Sequence, residues 1–234
     1  MHSTKDTLVR FESSICETFA GPHHLICTFF DLEKAYDTAW RSSILKEPHN
    51  FALRGNLPAI IDQFLEHRTF RVCVATEMSA PHIQEDGVPQ SSVLSVTLFT
   101  IAINGVAGSV LGGVSFSLYV DHLAIWYAAS RMSVAERHVQ LALDKVSHWT
   151  TEHGFRFSPL KTVAMHFCCL QGVHPNPNLQ LYGHLQCVTE TCFLGILFDN
   201  RLTWQPHIHY LKESCQLALK VLRVMGHTLW GADR

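Results

Sequence analysis

The stretch HLICTFFDL, residues 24–32, is almost continuously apolar and closes on one carboxylate, Asp31. A β-prone run without alternation describes a strand covered on both faces, hence the middle of a sheet. A carboxylate at its end is expensive to desolvate unless a cation or hydrogen-bond donors meet it. Two further strand-like runs, VSFSLYV and LAIWYAA between Val114 and Ala129, are parted only by Asp121 and His122, which is hairpin spacing. With the tip of that hairpin beside the end of the central strand, Asp31 and Asp121 converge on one spot. Phosphoryl transfer through two Mg²⁺ ions about 3.5–4 Å apart needs such a pair of hard oxygen ligands. Aspartates at strand ends are common at surfaces, so the spacing alone leaves an ordinary solvated pair as the alternative.

Outward from the central strand, EKAYDTAWRSSILKE reads as helix stopped by Pro48, and a second helix runs from Pro58 to about Glu66. FRVCVAT and HIQEDG read as two short strands joined by a loop. Ser91 or Ser92 is placed to cap the apolar helix that follows. Ser133 to Glu136 forms a capping box, and its helix carries Val139, Leu143, Val146 and Thr150 on one stripe before Gly154. TVAMHFC and CFLGILFD are strand candidates. The last helix opens at Pro206 and repeats Ile208, Leu211, Cys215, Ala218 or Leu219, Leu222 and Met225 at helical spacing. This order predicts an α+β fold, a mixed sheet with helices packed on one face.

Hydrophobic residues make up 47% of the 234, against 16% charged, which predicts a large buried core. The formal charge is −2, from 18 Lys and Arg against 20 Asp and Glu. The basic excess common in proteins that grip a phosphate backbone is therefore missing from this chain. The N-terminus, MHSTKDTLVR, has no apolar h-region, so an intracellular setting (cytoplasm or nucleus) with reduced thiols is expected for the eight cysteines. The sixteen histidines are scattered and read as surface. Cys168, Cys169, Cys187 and Cys192, with His166 nearby, are the residue types of a zinc site, but they lack paired CxxC or HxxxH spacing and read instead as free thiols in or near a core. Residues 87–120 carry no formal charge, long enough to cross a bilayer. Their serines, Asn104 and glycines instead predict a buried helix and a Gly-rich turn, with no membrane partner.

Five segments, FFDLEKAYDTAW, GVPQSSVLSVTLF, SLYVDHLAIW, HGFRFSPLKT and FLGILFDNRLTW, follow one another from residue 29 to residue 204. In order and spacing they resemble the successive palm motifs of reverse transcriptases from non-LTR (LINE/Jockey-like) retrotransposons, running into the start of the thumb. The resemblance covers the chain from about Leu8 onward. It implies a polymerase palm, a ferredoxin-like antiparallel sheet with helices on one face, with partial fingers over residues 1–200 and the start of a thumb helix over residues 201–234. It implies an RNA-directed DNA polymerase with an RNA template, a DNA primer and dNTPs as partners, and Mg²⁺, or Mn²⁺, as cofactor. Asp31 and Asp121 match the metal-binding catalytic carboxylates. Lys161 matches a lysine that protonates the departing pyrophosphate. Leu32, Tyr36, Gly87, Pro89, Gln90 and Tyr119 match positions around the nucleotide and template, Tyr36 being the steric gate against a ribose 2′-hydroxyl. Phe193, Leu194 and Gly195 match the hairpin that grips the primer end, with core packing as the alternative.

This chain departs from the pattern at two places. The family's Tyr-x-Asp-Asp is Tyr119-Val120-Asp121-His122, so an imidazole replaces the second carboxylate. Imidazole suits Zn or Cu better than Mg²⁺ and removes a negative charge. The Gly that opens the second motif's helix is Ser91. The resemblance also places basic finger motifs, most of the thumb and an endonuclease outside this chain, in the rest of a retrotransposon polyprotein. Two readings follow: a polymerase domain impaired in this copy, and a palm that folds but does not catalyse and binds weakly or not at all.

Overall fold

The computed structural model describes residues 3–50, 55–90, 92–110, 112–172 and 174–226. Helix α1 (Thr4–Ala20) opens on a capping box in which the Ser3 hydroxyl accepts from the Asp6 N–H and the Asp6 carboxylate accepts from the Ser3 N–H. Strand β1 (His24–Asp31) is buried along seven residues and opens only at Asp31, as an all-apolar central strand should. The predicted helix after it breaks at Ala39 into a single turn, α2 (Ala35–Thr38), and α3 (Arg41–Asn50), which continues through Pro48 instead of stopping there. Helix α4 (Leu57–Leu65) has Pro58 in its first turn, where the missing N–H matters least.

FRVCVAT is not one strand. Strands β2 (Thr69–Phe70) and β5 (His82–Ile83) pair with each other, and β3 (Cys73–Val74) with β4 (Glu77–Met78) nest between them as a wholly exposed hairpin. Helix α5 (Val93–Asn104) buries Leu98, Phe99, Ala102 and Ile103, and the one-turn α6 (Val106–Ser109) follows. Among the described residues no helix is long and apolar enough to cross a membrane. Ser92 occupies the N-cap of α5 without a side-chain hydrogen bond, and Ser91 lies outside the described residues.

Strands β6 (Ser115–Tyr119) and β7 (His122–Ala129) form the expected hairpin. Helix α7 (Met132–Glu152) buries the predicted stripe of Val139, Leu143, Val146 and Thr150. Its N-cap is Arg131, so the helix begins two residues too early for Ser133 to act as a cap. After β8 (Val163–Phe167), CFLGILFD divides into β9 (Glu190–Phe193) and β10 (Ile196–Asp199), because Leu194 and Gly195 both take left-handed backbone and turn the chain. Helix α8 (Gln205–Gly226) completes the described chain.

The main sheet has the order β6-β7-β1-β8, and every pair is antiparallel, so the mixed sheet expected from element order is corrected. Alternate residues of β1 supply two cores. Ile26 and Phe30 face α5 and α7, together with Leu123, Ile125, Val139 and Leu143. Leu25, Cys27 and Phe29 face α1 and the β9–β10 hairpin. There the buried Phe11 ring lies within 5.0–6.3 Å of Phe29, Trp126, Phe167, Phe193 and Phe198, mostly edge to face. Most helices thus share one face, and α1 covers the other.

At the end of the sheet remote from Asp31, buried His24 and His166 meet, with 3.0 Å between His24 Nδ1 and His166 Nε2. Burial first, then the nearby His24 and His174, push the His166 imidazole down to about 4.

Candidate active site

The register of β1 on β7 sets Asp31 directly opposite His122, and the β6–β7 register sets Tyr119 opposite the same histidine. Val120 and Asp121 are the two residues of the turn between them. Because paired strands lie about 4.8 Å apart, the end of β1 and this turn share one end of the sheet. Asp121 Oδ1 stands 3.9 Å from His122 Nε2, and the side chains of Asp31 and Asp121 are 37% and 41% exposed. Val120 holds a φ of 56°, a left-handed conformation that a β-branched residue adopts only under constraint.

The segment around Lys161 is laced to Asp31 by the backbone. The Glu33 N–H donates to the Arg156 carbonyl at 2.8 Å, and the Ser158 N–H donates to the Asp31 carbonyl at 2.8 Å. The Asp31 N–H donates to the Thr162 hydroxyl at 3.3 Å, and Leu32 bridges to Phe157. Ser158-Pro159 then starts a tight turn in which the N–H groups of Lys161 and Thr162 both donate to the Ser158 carbonyl. The result is an ion pair of 3.5 Å between Lys161 Nζ and Asp31 Oδ1. With Lys161 70% exposed it contributes little stability, of the order of 0–1 kcal/mol, and its effect is to hold an ammonium group beside Asp31.

Tyr36 stacks on Phe99 with ring centroids 4.8 Å apart. Its phenol is pushed above the ordinary range, chiefly by burial and then by the negative charge of Asp121, so ring and carboxylate share one neighbourhood. The loop at Gly87 is strapped to the same turn. The Gly87 N–H donates to the Ala39 carbonyl at 2.8 Å and the Val88 N–H to the Tyr36 carbonyl at 2.7 Å. Gly87 has a φ of 82°, and a Cβ there would stand 2.6 Å from the Tyr36 carbonyl oxygen, so this close approach requires glycine. Gln90 Nε2 donates to Asp37 Oδ1 at 3.3 Å.

Asp31, Tyr36, Gly87, Gln90, Tyr119, Asp121 and Lys161 are thus connected around one end of the sheet through these contacts, and Pro89 lies in the chain between Val88 and Gln90. Leu32 is buried and presents only its backbone. Phe193 is also buried, 5.1 Å from Phe29 by ring centroids, so packing accounts for it, while Leu194 and Gly195 form the turn of the β9–β10 hairpin on the sheet face that Asp31 shares with Phe29.

Two positioning residues escaped the sequence reading. Arg68 donates to the Asp86 and Gly87 carbonyls at 3.0 and 2.7 Å, pinning the Gly87 loop from outside. Asp199, only 6% exposed, accepts from the N–H groups of Arg201, Thr203 and Trp204 at the root of α8. Burial alone would raise its carboxyl, but these N–H groups together with the Thr203 hydroxyl hold it below the ordinary range. An acid a few residues ahead of a helix is too common a pattern to have marked it. As a donor set, the carboxylates of Asp31 and Asp121 suit a hard divalent cation such as Mg²⁺, and the imidazole of His122 suits it poorly.

Comparison with known proteins agrees with this fold. A family model described as reverse transcriptase (RNA-dependent DNA polymerase) matches residues 1–211. The probable RNA-directed DNA polymerase from transposon BS of Drosophila melanogaster is 26% identical across 95% of this chain and 25% of its own length. The RNA-directed DNA polymerase from mobile element jockey of Drosophila funebris is 27% identical across 91% of this chain and 24% of its own. The chain therefore spans about a quarter of the length of these relatives. Among solved structures, apo telomerase from Candida tropicalis, truncated from its C-terminal domain, superposes with a TM-score of 0.59 at 14% identity, covering 88% of this chain and 40% of that one. At that identity the likeness is one of fold.

Proposed function

The chain belongs to the reverse transcriptase family, and on that premise we propose that it is the palm of an RNA-directed DNA polymerase whose metal-binding pair is Asp31 and Asp121. The observation that carries this reading is the strand register that sets Asp31 opposite His122, the residue next to Asp121.

Mg²⁺, when bound, would lower the barrier to attack of a primer 3′-hydroxyl on the α-phosphate of a dNTP by stabilising the attacking and leaving oxygens. Asp31 and Asp121 would supply its oxygen ligands. Tyr36, fixed by its stack on Phe99, sets bulk where a ribose 2′-hydroxyl would sit and so selects deoxynucleotides. Lys161 stands ready beside Asp31 to give a proton to the departing pyrophosphate. Gly87, Pro89 and Gln90 form the surface against which template and nucleotide rest, and the tip at Leu194 and Gly195 meets the primer end. His122 impairs the site, because it replaces a charged oxygen ligand with a nitrogen ligand. Losing a few kcal/mol of transition-state stabilisation slows a reaction a hundredfold or more.

Primer extension on an RNA template, with Mg²⁺ and with Mn²⁺, tests the reading in the unmodified chain and in His122→Asp. Weak extension by the unmodified chain, raised in His122→Asp and abolished in Asp31→Asn, is the expected result. Extension that survives Asp31→Asn sinks the assignment. The same departure at His122 favours a second reading, a folded palm without catalysis. Extension by His122→Asp alone identifies that lesion, and failure of both proteins supports the second reading for the isolated chain.

A further inference from the structure

The end of the sheet away from Asp31 collects a different set of donors. His24 opens β1, and the β1–β8 register pairs Leu25 with Phe167 and Ile26 with His166. One further step sets His24 opposite Cys168, so His24, His166 and Cys168 project to one side of the sheet. One ligand atom from each of these three lies within 4.8 Å of the others. His174 joins them from the loop after β8, its ring 5.1 Å from that of His24, and its Nε2 is buried without a hydrogen-bond partner. An orphaned buried imidazole nitrogen is a donor set without its acceptor or ion. A cavity of about 240 Å³ opens here, lined among the described residues by His166, Cys168, His174, Cys187 and Arg201 and by no carboxylate.

We propose that His24, His166 and Cys168, with His174 as fourth donor, hold a zinc(II) ion. Two or three imidazoles with a thiolate match zinc's preference for nitrogen and sulfur in a closed tetrahedral set. Tetrahedral zinc with Zn–N bonds of about 2.0–2.1 Å separates two nitrogens by about 3.3 Å. The 3.0 Å between His24 Nδ1 and His166 Nε2 is a few tenths short of that, and the sulfur has to close in by about 1 Å. The role of the site is to tie the first residue of the central strand to the long segment between β8 and β9, which among the described residues holds no helix or strand of its own. The sequence pointed to His166 and Cys168 but not to their partner, because 142 residues separate His24 from His166 and because His166-Phe167-Cys168 places its donors two apart, a strand spacing rather than a finger spacing.

The whole 234-residue chain is purified, given Zn²⁺, dialysed, and assayed for metal by mass spectrometry. One zinc retained per chain is expected, and Co²⁺ in its place is expected to show tetrahedral d–d bands with a thiolate-to-cobalt charge-transfer band. Cys168→Ser removes the charge-transfer band and weakens zinc at least tenfold in competition with a chelator. His166→Gln abolishes retention, while Cys169→Ser and Asp31→Asn change neither. Chelation lowers the melting temperature of the unmodified chain and not that of His166→Gln. Absence of stoichiometric zinc and of the cobalt–thiolate band in the unmodified chain overturns the proposal without any variant having to fold. An equal loss in Cys169→Ser, or a melting temperature indifferent to chelation, overturns it too.

Discussion

The two ends of β1 are about 24 Å apart at the rise of an extended strand, and they carry opposite chemistry. Asp31 is part exposed, stands beside an ammonium, and is held by backbone bonds that leave its carboxylate open. His24 is buried among imidazoles and thiols. One apolar run supports both, because the core under its middle fixes the register of every neighbour. Water access separates them. A site that exchanges a charged substrate needs hard donors near solvent, and a site that staples the fold works best dry.

The largest expected effect strikes both ends together. Phe11→Ala removes the ring against which Phe29, Trp126, Phe167, Phe193 and Phe198 pack and should cost about 3–5 kcal/mol in urea unfolding. A loss confined to one end would show that the two do not share a support. Asp31→Asn, made in the His122→Asp background, should lower primer extension about a hundredfold or more, equivalent to about 2.7 kcal/mol, while leaving the urea midpoint within error. If stability falls instead, Asp31 is a structural residue and the contrast between the ends fails.

Gly87→Ala should destabilise by about 1–3 kcal/mol, since it adds a Cβ against the Tyr36 and Asp37 carbonyls in a left-handed conformation. Its denaturation midpoint tells whether the loop is as tightly strapped as the short contacts demand. For Asp199 the sign follows from linkage. Its folded carboxyl lies below its unfolded value, so on acidification the unfolded chain takes up the proton first. Its contribution is complete above the unfolded pKa of about 3.9 and is lost as the pH falls toward the lower folded value. Asp199→Asn should flatten that acid limb in melts measured across pH. The smallest effect is at the hairpin turn, where Val120→Gly relieves the left-handed φ and should stabilise by about 0.5–1 kcal/mol.

Much of this was legible beforehand, for physical reasons. Period and composition located β1, the β6–β7 hairpin and the buried stripe of α7, because burial on both faces or on one stripe leaves a direct imprint. The convergence of Asp31 on the Asp121 turn needed the register as well, which only the folded sheet supplies. Helix α1 was overlooked although Phe11 and Ile15 lie four apart and Ser3 and Asp6 form a real capping box. The capping box that was read, Ser133 to Glu136, is not used, since the helix starts before it. Sequence marks a possible cap, and packing decides where the helix begins. CFLGILFD looked like one strand because Leu194 is apolar, whereas the φ of Leu194 and Gly195 folds it in two. The apolar repeat of α8 was read correctly as helical, yet none of its described residues is buried.

Helix α8 gives the Asp199 turn a mechanical meaning. Its 22 residues extend about 33 Å at 1.5 Å per residue, and the carboxylate of Asp199 holds three backbone donors at its root, those of Arg201, Thr203 and Trp204. Such a rod is a cantilever clamped at its root, where His207 Nδ1 also accepts from the Leu197 N–H and Trp204 packs on Phe198. A tilt of about 5° at the clamp sweeps the far tip through about 3 Å, close to the rise of one nucleotide step. Where the tip of α8 points is therefore decided less by the far part of its 22 residues than by the few contacts at its root, the Asp199 carboxylate among them.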